Sequence, residues 1–262
     1  MLGAIIGDIV GSRFEWNNLK SKDFEFLTPE CAPTDDSIMT IAIAQAILSS
    51  KDDYSDLSSH AVSCMQTIGR QYPHSGYGGY FIQWLAMEDP QPYNSFGNGA
   101  AMRVSPAGFA ATSLEDAKTI ARKVTEVTHN HPEGMKAAEA TASAIYMAKT
   151  GSSMAEIKDY IEASYYPMDF TLDEIRPTYN FDVSSQGSVP QAFEAFFEST
   201  DFEDAIRNAI SIGGDSDTIA AICGGIAEAY YGIPNALREQ AFTFLDKSLQ
   251  QVVISFESTF PV

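Results

Sequence analysis

Two stretches of this chain are too apolar to face water, yet each opens on paired acids. GGDSDTIAAICGGIAEA begins at Gly213, and after Asp215 and Asp217 it carries no charge until Glu228. PTDDSIMTIAIAQAIL repeats the arrangement, with Thr34, Asp35 and Asp36 ahead of a charge-free run from Ile38 to Leu48. A helix that is apolar all round belongs in the interior of a larger structure. The run from Ile38 to Leu48 is too short to cross a bilayer. An acid at a helix N-cap accepts backbone N–H bonds and complements the dipole, but one acid suffices for that. The second acid in each pair needs another reason.

Helical periodicity dominates the rest of the chain. LEDAKTIARKVTEVTH, from Leu114 to His129, puts Leu114, Ala117, Ile120, Ala121, Val124 and Val127 near one face. Further helices are predicted over 34–50, 55–70, 78–88, 98–110, 132–149, 153–164, 189–198, 202–212, 216–231 and 234–256. No series of alternating strands and no solenoid repeat is present. Segments rich in Gly, Pro, Ser and Asn separate the helices at 74–80, 89–99, 128–134 and 176–190. None is long enough for a free linker, and they hold most of the aromatic-plus-glycine clusters. The expected architecture is all-α: one compact domain over 1–262, a helical bundle presenting binding loops on one face.

Composition narrows the function. With 45% hydrophobic and 11% aromatic residues the chain can build a sizeable core. Its formal charge of −19 argues against gripping a nucleic-acid backbone, which needs a basic stripe. A small anion is still admissible, because metals or helix N-termini can oppose the global field locally. Cys31, Cys64 and Cys223 show no CxxC spacing and read as buried free thiols in a reducing compartment. MLGAIIGDIVG lacks a basic leader and is interrupted by Asp8, so it reads as neither signal peptide nor membrane span. A cytoplasmic, soluble monomer is expected.

Hard divalent cations take oxygen ligands, and Asp, Thr and backbone oxygens supply them. If the two acid-led helix starts face each other, four carboxylates share one small space. Protonation or bound metal is then the remedy for their repulsion. Asp215 does not start an EF-hand loop, because the position twelve along is Ile226. Glu15, in GDIVGSRFE, is a further acid in a glycine-punctuated apolar setting. His129 and His131 have no cysteine nearby and do not read as a zinc pair; a loop histidine that bonds a ligand or caps the next helix fits better. In NSFGNGAAMR, Gly97 and Gly99 allow close backbone approach, and the helix start after them would favour phosphate. YGGY at 77–80 is a second possible cradle. Either could equally be an ordinary tight turn.

Taken together and in this order, the motifs resemble those of the ADP-ribosylglycohydrolase family. GDIVGSRFE looks like its GDxxGxxxE opening, and PTDDS resembles its TDDT motif with Ser37 in place of the last Thr. SGYGGYFIQWL, SFGNGAAMRVSPAG, THNHPEG and GGDSDTIAAICGGIAEAYYGIP also have counterparts in position and spacing. The likeness runs from about Met1 to Pro234; no single piece is specific, but the combination is. It implies an all-α bundle with a binuclear magnesium centre, manganese being possible. By the resemblance, Thr34, Asp35 and Asp36 serve one metal, and Asp215, Asp217 and Thr218 the other, with Asp217 as the bridge. Glu15 matches the acid beside the scissile bond, and Asp36 and Asp217 join it in the catalytic set. Ser95, Phe96, Gly97, Asn98 and Gly99 match the loop that holds ADP-ribose, with Phe96 free to stack on adenine. Gly78 and Gly79 match a phosphate-contacting turn, and His129 a residue near the distal ribose. Ser37 keeps an oxygen in place.

The implied reaction is hydrolysis at the anomeric carbon of the distal ribose, freeing ADP-ribose from a modified protein or small molecule. Arginine, serine, a nucleobase and an O-acetyl group all stay open as acceptors. The alternatives are a two-metal nucleotide phosphohydrolase and a non-catalytic ADP-ribose-binding or structural relative.

Overall fold

The chain's first helix is apolar on every side and carries glycine at every fourth position. In the computed structural model, which describes residues 1–261, Leu2–Gly11 forms α1 with all of its residues buried. Then follow α2 (Asp35–Ser49), α3 (Leu57–Gly69), α4 (Gly79–Ala86), α5 (Gly99–Met102), α6 (Ser105–Ala110), α7 (Leu114–Thr125) and α8 (Pro132–Lys149). The second half supplies α9 (Met154–Ser164), α10 (Leu172–Ile175), α11 (Ser185–Phe197), α12 (Phe202–Ser211), α13 (Ser216–Tyr231), α14 (Asn235–Phe242) and α15 (Lys247–Thr259). Among the described residues there is no strand, only an isolated antiparallel bridge between Gly97 and Ser184. The fold is all-α, as the periodicity predicts.

The two acid-led runs are α2 and α13, and both lie inside. Every residue of α13 from Ser216 to Ala229 is buried. α1 lies against α13 at a distance only glycine permits. A Cβ on Gly3 would come within 2.3 Å of the Gly224 carbonyl oxygen, one on Gly7 within 2.0 Å of the Ala220 oxygen, and one on Gly11 within 2.5 Å of the Asp217 Cα. α2 packs on α1 and α3, while α8, α11 and α12 cover other sides of α13. α7 and α12 are the amphipathic outer helices, each with an N-cap side chain, Ser113 and Asp201, accepting an amide hydrogen from the first turn. The buried apolar side chains form one cluster running from Met1 to Phe256.

Several boundaries differ from the sequence reading for identifiable reasons. α1 has no polar face, so it gives no amphipathic signal. The helix expected over 98–110 is two short ones, because Pro106 has no N–H to offer the Met102 carbonyl; the Thr40 hydroxyl of α2 donates to that oxygen instead, at 3.3 Å. α11 begins four residues ahead of the predicted start and carries Pro190 in its interior, with the Ser184 side chain as its cap. The stretch expected as one helix over 234–256 breaks before Asp246, which caps α15 by accepting from the amides of Ser248 and Leu249. Cys31 and Cys223 are buried and Cys64 half-buried, all as free thiols. No helix among the described residues is long and apolar enough to cross a membrane.

Candidate active site

The glycine contact between α1 and α13 carries Asp8 into the same pocket of space as Asp217. Asp8 is fully buried and accepts from the Thr34 amide at 2.9 Å, the Thr34 hydroxyl at 2.6 Å, the Ser37 amide at 3.0 Å and the Ser37 hydroxyl. It therefore caps α2 from another helix. Thr34 adds its own cap, accepting from the Asp36 amide at 3.3 Å. With the helix start satisfied in this way, Asp36 is released to point into the site. Its Oδ2 accepts from the Thr218 hydroxyl at 3.3 Å, while its buried Oδ1 has no partner.

On α13 the acids do not act as simple caps either. Gly213 and Gly214 hold φ of 69° and 78°, the left-handed turn that brings the chain round into the helix. Asp215 occupies the N-cap position without a capping bond. It accepts instead from the Asn98 amide side chain at 2.6 Å, which ties the GNG loop to the acid cluster. Asn18 anchors the segment bearing Glu15: its Nδ2 donates to the carbonyls of Glu15 and Gly214, and its Oδ1 accepts from the Gly214 amide, all at 2.8–2.9 Å.

Two acid trios result, with ligand-capable oxygens within 4.8 Å of one another: Asp8, Asp36 and Asp217, and Glu15, Asp215 and Asp217. Asp217 is common to both. The grouping differs from the one-motif-per-metal sets implied by the resemblance, because neighbouring residues on a helix point about 100° apart. Asp35 belongs to neither trio but lines the cavity, with its amide bonded to the Ser75 carbonyl at 2.7 Å. Burial drives every acid here towards its neutral form, and mutual repulsion adds to it. Asp8 is raised to about 6 despite its four donors, Glu15 to about 7 and Asp35 to about 8. Asp36 and Asp217 are raised well above the usual carboxylate range. Crowded, buried, oxygen-only donors with an orphaned Asp36 oxygen fit a hard divalent cation and no soft one.

Glu15, Asp35, Asp36, Asp215 and Asp217 line a cavity of about 380 Å³, and Asp8 lies behind it. Gly78 and Gly79 line one wall. Ser95, Gly97, Asn98, Gly99 and His129 line another. Thr34 is not among the lining residues, since its hydroxyl is turned to Asp8. Nor is Phe96, whose half-exposed ring packs on His131 with centroids 5.4 Å apart. The two histidines divide the roles expected of them. His131 caps α8 by accepting the Glu133 amide hydrogen, and His129 faces the cavity. Four aromatic rings also line the cavity: Trp16 stacked on Phe181 at 5.1 Å next to Glu15, and Tyr80, from the YGGY turn, stacked on Tyr93 at 6.1 Å. Asn18 carries no spacing signal, and Asp8, although it is the Asp of GDIVGSRFE, has no role that the sequence assigns.

The sequence profile of the ADP-ribosylglycohydrolase family matches residues 1–256. The chain belongs to the ADP-ribosylglycohydrolase family. Human ADP-ribosylhydrolase ARH3 is 26% identical, in an alignment covering 89% of this chain and 84% of the human protein. The ADP-ribosylarginine hydrolase Tri1 of Pseudomonas putida (strain GB-1) is also 26% identical, over 89% of this chain and 70% of its own length. A solved structure described as an ADP-ribosylglycohydrolase-related protein complex superposes with a TM-score of 0.71 at 24% identity, covering 98% of this chain and 95% of that one. The chain is thus an enzyme of the ADP-ribosylglycohydrolase type, and its acid trios could hold a metal ion.

Proposed function

We propose that this protein removes ADP-ribose from a modified acceptor by hydrolysing the glycosidic bond at the anomeric carbon of the distal ribose, with two magnesium ions. The observation that carries this reading is the pair of acid trios sharing Asp217, which lines the cavity. Asp36, Asp215, Asp217 and Thr218 would hold the ions, with Thr34 and Asp35 completing the site; manganese has the same oxygen preference. When bound, such ions polarise substrate oxygens and lower the pKa of water.

The chain's own groups do the rest. Glu15, half-buried beside Asp215 and Asp217, is the carboxylate placed to act as general base. It takes the proton from the attacking water as the new C–O bond forms and the bond to the acceptor breaks. The carboxylates around it favour the positive charge that develops on the ribose. Gly97, Asn98 and Gly99 line the wall whose backbone would meet the diphosphate, and Phe96, exposed beside it, would offer its ring to adenine.

Relatives bearing the names ADP-ribosylhydrolase and ADP-ribosylarginine hydrolase support the reaction class. The test is the purified chain against defined arginine-, serine-, nucleobase- and O-acetyl-linked ADP-ribose, with magnesium or with chelator. Intact ADP-ribose should appear only with magnesium. Release of AMP or phosphate instead would identify a phosphohydrolase, and no release with ADP-ribose still binding would identify a non-catalytic relative.

A further inference from the structure

Among the described residues Arg103 is the one guanidinium lining the cavity, and it has no carboxylate partner there. It is 1% exposed, lies 5.6 Å over the Phe81 ring and has a buried Nε with no acceptor. Its Nη2 donates to the Thr128 hydroxyl and lies 3.3 Å from His129 Nδ1. The Thr128 hydroxyl is 2.7 Å from the same Nδ1.

A guanidinium has donors only and stays charged in proteins. The Thr128 oxygen accepts from Arg103, and of the two acceptors within reach of its own hydrogen, Nδ1 at 2.7 Å is much nearer than the Thr125 carbonyl at 3.5 Å. A proton on Nδ1 would oppose the Arg103 Nη2 donor 3.3 Å away and turn the Thr128 hydrogen to the carbonyl at 3.5 Å, and a proton on both nitrogens would set a second cation against a buried one. Nδ1 must therefore present its lone pair, and the ring's single proton sits on Nε2. That atom lies 3.1 Å from where a Cβ on Gly99 would stand and 3.7 Å from one on Gly97, beside two residues of the cavity wall. We infer that Arg103 is a positioning residue which, together with Thr128, locks His129 as a neutral donor with Nε2–H available to an oxygen of the bound substrate.

The surroundings agree. Burial first, and Arg103 second, hold His129 well below its ordinary pKa. Tyr93, with its ring 6.0 Å away, is the other titratable group facing it, and Tyr93 and Asp35 both favour the charged form of Arg103. A histidine placed this way gives the same hydrogen bond across the physiological range, whereas an unperturbed one changes charge there. The identity of the receiving oxygen rests on the ADP-ribose reading; the lock does not.

Nitrogen-15 spectra of the imidazoles test it on the intact chain, which has only four histidines. His129 should show an unprotonated Nδ1 and a protonated Nε2, and should not titrate from about pH 8 to about pH 5, the window of an ordinary histidine. Arg103→Met should bring its titration into that window or populate the other tautomer, with Arg103→Lys partly restoring the native signature. Thr128→Val, which keeps the side-chain shape, carries the same expectation should Arg103→Met fail to fold. A wild-type His129 protonated on Nδ1, or an unchanged His129 in the folded variants, would overturn the inference. Loss of the hydrolase reading would show separately, as an intact lock in a protein that releases no ADP-ribose.

Discussion

A carboxylate with four donors aimed at it has little left to offer a cation, and Asp8 is in that position. Its place in an acid trio thus supports the start of α2 rather than supplying a ligand. Asp8→Ala would remove both acceptor oxygens and leave the amides of Thr34 and Ser37 without a partner. Leaving buried groups unpaired costs about 1–3 kcal/mol, so a lower melting temperature is expected, together with weaker magnesium binding through a displaced Asp36. Equal magnesium affinity in the folded variant would show that Asp36 does not depend on this cap. Glu15 separates binding from chemistry. Glu15→Gln keeps the volume and loses the base, a change that typically lowers rate by about 10²–10⁴. Turnover should drop that far while ADP-ribose affinity, read by calorimetry at fixed magnesium, stays within a few-fold. Near-normal turnover would remove Glu15 from the mechanism.

At the level of elements, what the sequence makes legible depends on whether a helix has two unlike faces. α7 and α12 do, and their periodicity and Ser113 and Asp201 caps place them within a few residues. α2 and α13 are recognisable by their acids and absence of charge. α1 has neither signal: it is buried all round, and why it carries glycine at every fourth position shows only against the partner backbone. The motifs named Glu15, Asp36, Asp215 and Asp217, but the grouping into trios depends on the α1–α13 approach, which no spacing within one segment encodes. The four aromatic rings of the cavity and Arg103 come from loops and helix ends that meet only in space. Gly7→Ala tests that approach. Its methyl would stand 2.0 Å from the Ala220 oxygen, a backbone atom that cannot rotate away. Overpacking of a core typically costs about 1–3 kcal/mol. Thermal melts should show a clear loss of stability, and magnesium affinity should fall with it as Asp8, and the α2 start that it holds with Asp36, shift away from Asp217. A variant with native stability would mean the two helices have slack.

Across the whole molecule, the charge of −19 and the crowded acids make stability a matter of pH and metal together. Burial holds Asp8, Glu15 and Asp35 at about 6, 7 and 8 when no cation is present. An unfolded chain gives up those protons at roughly pH 4. Between these limits the folded state binds more protons than the unfolded one, so stability falls as pH rises from about 4 to about 8. The metal-free chain should melt higher at about pH 5.5 than at about pH 8, and magnesium should raise the melting temperature most at the higher pH, where protons no longer compete. Sodium at equal ionic strength controls for general screening. A metal-free melting temperature that climbs towards pH 8 would reverse the sign and rule out the crowded cluster as its cause. The most direct measurement is the manganese stoichiometry of the purified chain by equilibrium dialysis, beside the Asp217→Asn variant. Two ions per chain, with both weakened when Asp217 is changed, are expected of two sites sharing one carboxylate. A single ion, or an Asp217→Asn chain that still binds two as tightly, would contradict the shared centre.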